Sequence, residues 1–143
     1  MNITDLLQEW DKDTKIDRLD LTHASLETPK LHAKYYRIFL GEKAKLIRWM
    51  NELKVLKLEM HEFMVDGPHS ETPADWELPA KGRIIKSDSE QYVEAEKHVI
   101  TLQEKVDLQK EKMKFLESII YNLNTRNFVI KNAIEMIKFE SGG

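Results

Sequence analysis

The stretch from Tyr92 to Ile137 constrains this chain more than any other. Read in sevens, its apolar residues keep landing on two positions. Val99, Leu102, Val106, Met113, Leu116, Ile120, Leu123, Ile130, Ile134 and Ile137 follow steps of three and four, with Gln109 and Asn127 as polar exceptions. No Pro or Gly interrupts the run. A seam that repeats every seven residues marks helices packing along their length. A second row, Phe115, Ile119, Val129, Ala133 and Met136, widens the seam into a broad apolar face. As one helix the stretch would be roughly 70 Å long at ~1.5 Å per residue. A chain of 143 residues has little else to cover such a face. The expectation is burial against other copies of the chain; the alternative is an intramolecular helical bundle.

The fold class expected is all-α, with long heptad-patterned helices assembling into a homo-oligomer. Charged residues make up 33% of the chain, against only 5 Gly and 4 Pro, which is a helical profile. One domain, 1–143, is expected. The absence of Cys excludes disulfides and thiolate chemistry. Met1 to Trp10 carries Asp5 and Glu9 and no apolar run, so it does not read as a signal peptide. No stretch is apolar enough to span a membrane, and a cytoplasmic location is the default expectation.

The domain divides by charge. Residues 1–20 form an acidic segment, with Asp5, Glu9, Asp11, Asp13, Asp17 and Asp20. Residues 3 to 10 read as a short amphipathic helix capped by Asn2 or Thr4, with Ile3, Leu6, Leu7 and Trp10 on one face, and Asp11 to Asp20 as a loop. Residues 22–66 form a basic helical region. Leu26, Leu31, Tyr35 and Ile38 or Phe39 face inward there, and Pro29 is placed near the helix start, where its missing N–H costs nothing. The helix is expected to run on through Gly41, with a second seam at Leu46, Trp49, Leu53, Leu56, Met60 and Phe63. Asp66-Gly67-Pro68 ends it.

Residues 67–88 form a Pro-containing loop. Trp76 in it is either a loop anchor or a platform for stacking a base, and Lys81 to Lys86 reads as a short extended piece. Ser87, Asp88 or Ser89 then caps a long C-terminal helical region, 89–139. Asn124 to Asn127 is its weakest part by helix propensity, and the expectation there is a break, with Asn127 otherwise setting register on the seam.

The net charge of −3 hides a segregation. Between Lys30 and Lys57 only Glu42 and Glu52 oppose the basic residues. Lys30, Lys34, Arg37, Lys45 and Arg48 return to one helix face, away from the apolar seam, and Tyr35 and Tyr36 are interleaved with them. Cations spaced along a line suit phosphates, and rings suit bases. The candidate nucleic-acid-binding residues are therefore Lys30, Lys34, Arg37, Lys45, Arg48, Lys54 and Lys57, with Arg83 and Lys86 as a second group. The plainer alternative is a solvated helix face. The candidate oligomerisation residues are Val106, Met113, Leu116, Ile120, Leu123, Asn127, Phe128, Ile130, Ile134 and Ile137.

Catalytic chemistry has no residues behind it. The histidines, His23, His32, His61, His69 and His98, show no metal-ligand spacing with an acidic third ligand. Gly41-Glu42-Lys43 lacks the glycines and the Ser or Thr of a phosphate loop. No catalytic residue, metal or cofactor is expected.

The C-terminal run from Thr125 to Gly142, with Thr125-Arg126-Asn127-Phe128-Val129-Ile130-Lys131 and Lys138-Phe139-Glu140-Ser141-Gly142, resembles the end of the UvsY recombination mediators of T-even-type phages. That family carries a Ser-Arg-Gly-Phe-Ala-Ile-Lys run, then Met, then Phe-Glu-Ala-Gly. The layout agrees as well. The resemblance implies a ring-shaped homo-oligomer of six or seven copies that binds single-stranded DNA. Such a protein would help load a RecA-like recombinase onto strands covered by single-strand-binding protein, in a phage-infected bacterial cell, without catalysis of its own. The family's central Leu-Lys-Ala-Arg motif falls on Leu56-Lys57-Leu58-Glu59, where Lys57 matches and Glu59 replaces Arg. The competing reading is an oligomeric helical scaffold or assembly chaperone with no nucleic-acid role.

Overall fold

A computed structural model describes residues 1–142. The fold is all-α, and its elements are α1 (Ile3–Asp13), α2 (Leu21–Asp66), a 3₁₀ turn at Lys86–Asp88, α3 (Ser89–Glu94) and α4 (Lys97–Glu140). Among the described residues there is no strand. The chain forms two compact units, Met1–Lys43 with Glu111–Gly143, and Ala44–Lys110. Among the described residues no helix is long and apolar enough to cross a membrane.

In the unit built from both chain ends, Asn2 caps α1 by accepting the Asp5 N–H at 2.8 Å. The helix runs on to Asp13, into the segment that reads as a loop, because Asp13 is held by side chains of α2. Lys34 and the Tyr35 hydroxyl both donate to its carboxylate, at 2.5 and 2.8 Å. Leu6, Ala24, Tyr35, Met113, Leu116, Ile119, Leu123 and Ile130 are buried here. Trp10 meets Tyr35 edge to face at 5.3 Å. A buried ion pair, Lys112 to Glu42 at 3.0 Å, joins α4 to α2, and Lys112 also donates to the Met1 carbonyl.

Pro29 lies inside α2, not near its start. The start is set upstream by Asp20, whose carboxylate accepts the His23 N–H at 3.2 Å. Pro29 deprives the Ser25 carbonyl of its helical donor, but Ser25 is exposed and water can serve that oxygen. Leu26, expected inside, is 68% exposed.

The break expected at Asn124 to Asn127 is absent: α4 is continuous there, and no non-glycine residue has positive φ. Arg126 is the reason. It is buried and donates to the carbonyls of Thr14 and Lys15 at 3.3 and 3.4 Å, so a tertiary anchor overrides weak local propensity. The interruption falls instead at Ala95 and Glu96. The Glu96 carboxylate accepts the Val99 N–H at 2.9 Å and restarts the helix as α4.

In the unit from Ala44 to Lys110, the core is Leu46, Leu53, Met60, Phe63, Met64, Ile84, Val93, Val99 and Val106. Gly67 ends α2 at φ 88, with its N–H on the Phe63 carbonyl at 2.9 Å. A Cβ there would sit 3.2 Å from Arg83 Cδ, a second reason for glycine. Lys81 to Lys86 forms no strand; the Ile84 N–H bonds the Met64 carbonyl at 2.8 Å and ties the loop to the end of α2. Trp76 packs edge-on against Phe63, centroids 5.5 Å apart, which anchors the loop.

Candidate nucleic-acid interface

The nine candidate cations fall in both units, and the structure treats them unequally. In the unit of the chain ends, Lys30 is exposed and paired with Glu27 one turn back, at 3.1 Å. Lys34 turns inward to Asp13, with Glu9 at 3.6 Å. Burial alone would lower the Lys34 ammonium, but the hydrogen bond and charge of Asp13 outweigh it and the net shift is upward. Burial would likewise raise Asp13, yet the hydrogen bonds from Lys34 and Tyr35 bring it below the usual carboxylate range. Lys34 is thus a link to α1, and Tyr35 is fully buried and cannot stack on a base. Arg37 stays exposed and makes no ion pair among the described residues.

Beside Arg37 stands a row of rings that sequence reasoning saw only in part. His32, Tyr36 and Phe39 stack in succession on α2, each step 5.9 Å between centroids. Their spacing of four and three is the signal that could have revealed them.

In the other unit, Arg48 and Lys54 are exposed and unpaired by carboxylates among the described residues, and Lys45 is half-buried. Lys57, the residue that matches the family's central motif, is bound to Glu94 at 3.1 Å. Arg83 donates to the Asp66 carbonyl at 3.4 Å and supports the end of α2. Lys86 is exposed at the start of the 3₁₀ turn.

The candidate oligomerisation residues also divide. Val106, Met113, Leu116, Leu123 and Ile130 are buried within the chain's own fold. Ile120 and Ile137 are half-buried, while Asn127, Phe128 and Ile134 are exposed. Exposed Tyr121, Val129, Met136 and Phe139 extend that apolar surface along α4, with Phe128 69% and Phe139 80% exposed.

A cluster that the sequence did not single out lies at the start of α4. His98 sits between two carboxylates, Nδ1 at 2.6 Å from Glu96 and Nε2 at 2.7 Å from Asp75. Those hydrogen bonds raise the imidazole above its ordinary value. The proximity of Glu96 to His98 is visible in the sequence; the arrival of Asp75 from the loop is not. Among the described residues no group of three or more His, Cys, Asp or Glu is placed to hold a metal ion.

The family profile described as "Recombination, repair and ssDNA binding protein UvsY" matches residues 9–143. Crystal structures of the bacteriophage T4 recombination mediator protein UvsY share the fold. In lattice type II the likeness covers 99% of this chain and 98% of that one, at 23% identity and a TM-score of 0.81. In lattice type IV it covers 97% and 99%, at 19% identity and 0.83. In lattice type I it covers 95% and 98%, at 23% identity and 0.77. No curated protein is similar enough in sequence to match. With the profile spanning all but the first residues, the chain belongs to the UvsY family of recombination, repair and single-stranded DNA binding proteins.

Proposed function

We propose that this protein is a recombination mediator. It binds single-stranded DNA as a homo-oligomer and helps load a RecA-like recombinase onto strands covered by single-strand-binding protein. It does so in the cytoplasm of a phage-infected cell and performs no chemistry of its own. The observation that carries this reading is the family match over residues 9–143. The exposed cations Arg37, Arg48, Lys54 and Lys86 and the ring row at Tyr36 support it, since backbone cations and stacked rings are what a sequence-tolerant single-strand binder needs. The exposed apolar side chains of α4 from Tyr121 to Phe139 are the surface through which copies associate, in the ring of six or seven that the resemblance implies.

The test is binding of a fluorescent single-stranded oligonucleotide over a range of salt, with sedimentation in parallel. It is followed by recombinase filament formation on strands pre-covered with single-strand-binding protein. Tight, salt-sensitive binding by an oligomer that speeds filament formation is expected. An oligomer that retains no DNA at low salt would favour the helical scaffold instead.

A further inference from the structure

A cavity of about 580 Å³ opens in the unit from Ala44 to Lys110, between the Trp76 loop, the first turns of α4, and α2. Leu56 and Leu102 make its apolar floor, Trp76 lines it, and Lys97, His98 and Lys105 supply its polar groups. Its size falls within the range of small-molecule sites. Its charge balance sets it apart from three other cavities. The one along α2 has Arg48 against Glu52 and Glu59. The one at Lys57 and Lys86 is offset by Glu90 and Glu94. The one on α1 has Lys12 against Asp5 and Glu9. At the Trp76 cavity no carboxylate lines the wall. The nearby Asp75 and Glu96 are both turned onto the His98 ring.

The cations here are also available. Lys97 and Lys105 are exposed and make no salt bridge among the described residues. Lys105 lies 4.1 Å above the Trp49 ring, so a cation–π contact holds its ammonium near the cavity without neutralising it. Trp76 is half-buried, fixed by Phe63 at 5.5 Å and His98 at 6.4 Å. A fixed indole loses little freedom when a flat ring stacks on it. An apolar floor, an aromatic wall and two lysines, of which only Lys97 feels a nearby carboxylate, that of Asp75, match one class of ligand, an aromatic base joined to a phosphate.

From this we infer that the Trp76 cavity takes one nucleobase of a bound single strand, stacked against the indole, with the adjoining phosphate held by Lys97 and Lys105. The inference rests on the single-stranded DNA reading above and adds to it a base-engaging site apart from the cations of α2. It explains why a loop rich in Pro, which needs only an apolar plug to stay folded, carries a Trp beside two lysines.

The test uses the full-length protein and two oligonucleotides of equal length and phosphate number, one of thymidines and one of abasic sites. The wild type is expected to bind the thymidine strand about five- to 150-fold more tightly for one engaged base. Trp76→Leu, which keeps an apolar side chain against Phe63, should remove that preference and leave abasic binding unchanged. Lys97→Gln with Lys105→Gln should weaken both strands and flatten the log–log salt slope by about 1.4, from two contacts at roughly 0.7 each. Because Trp76→Leu also touches the core, a thymidine strand carrying 5-iodouracil is crosslinked by light to the wild type and the adduct mapped; it should fall on Trp76.

Equal binding of both strands by the wild type overturns the base-stacking site while the DNA-binding function stands. A preference that survives Trp76→Leu, with the adduct on Tyr36, overturns it in favour of the ring row on α2. Binding of neither strand overturns the functional reading, and this inference with it.

Discussion

The ammonium of Lys34 lies 2.5 Å from the carboxylate of Asp13, and the Tyr35 hydroxyl shares that carboxylate at 2.8 Å. The middle of the basic stripe is thereby bound to the acidic N-terminal helix. The opposite charges of the two segments, which in sequence look like separate surfaces, are in part a single internal contact.

Lys34 should therefore behave unlike Arg37, Arg48 and Lys54. Lys34→Met is expected to lower the melting temperature, by an amount matching a half-exposed pair of at most about 1 kcal/mol, and to leave the salt dependence of DNA binding nearly unchanged. Replacing Arg37, Arg48 and Lys54 together by Ser should do the reverse. Melting is preserved and the salt slope flattens by about 2, at roughly 0.7 per contact. A salt slope that falls with Lys34→Met alone would return that residue to the DNA surface.

Asn127 separates a register or hinge role from an ordinary one. It is exposed in an unbroken helix, with no positive φ near it. Asn127→Gly should cost only about 0.3 kcal/mol, because Asn already ranks low as a helix former and Gly lies just below it, and Asn127→Leu should leave the fold unharmed. Urea melting of the two variants checks this. A tolerated Gly with a destabilising Leu would demand a backbone break that the structure does not contain.

The His98 cluster predicts a pH dependence with a definite sign. Both imidazole nitrogens face carboxylates, so the bound form is the doubly protonated ring. The hydrogen bonds to Glu96 and Asp75 raise His98. Its contribution is complete below the unfolded value of about 6.5 and is lost as pH rises through the higher folded value. The His98 hydrogen bond lowers Asp75; Glu96 is lowered too, its burial outweighed by that bond and by its own capping bonds. Their share is present above the unfolded carboxylate values, about 3.9 and 4.3, and lost only on acidification below them. Hydrogen exchange of residues 70–78, corrected for intrinsic pH dependence, should quicken as pH rises above the unfolded imidazole value of about 6.5 and through the higher folded one. The same correction applied to His98→Asn should show no such step.

The exposed side chains Phe128, Val129 and Met136 test self-association without touching the core. Replacing all three by Ser should leave the fold intact and reduce the oligomer, because none is buried in the chain. Several chains on one strand gain ~10²–10⁴ in affinity by effective concentration. Loss of affinity on that scale for long strands, with little change for strands short enough to meet one chain, is the expected pattern. An unreduced oligomer by sedimentation velocity would move the interface off this part of α4. Deletion from Asn124 onward is a poorer probe, since it also removes the buried Arg126 and Ile130.

What the sequence determined by itself is what repeats locally. The three–four spacing of Leu46, Leu53, Met60 and Phe63, and of Val99, Val106, Met113, Leu116, Leu123 and Ile130, marks helix faces that must leave water, and these residues are buried. Gly67 before Pro68 marks the end of α2, because only a residue at ease with positive φ fits there. The charge segregation and the C-terminal run pointed to the family. What only the tertiary structure decided is which surface each face and charge meets. A heptad seam looks the same whether a neighbouring helix of one chain covers it or another copy does. The buried residues of α4 lie within the chain's own fold, and Phe128 and Phe139 stay outside. A cation in a stripe looks the same whether it faces solvent or, as Lys34 does, an aspartate twenty-one residues upstream. Arg126 holds α4 straight through a stretch that propensity would break, and Asp20 starts α2 ahead of Pro29. Each of these outcomes depends on a contact between residues far apart in the chain or on a single capping carboxylate. Periodicity records only the spacing of like residues along one helix, so it carries no information about such contacts.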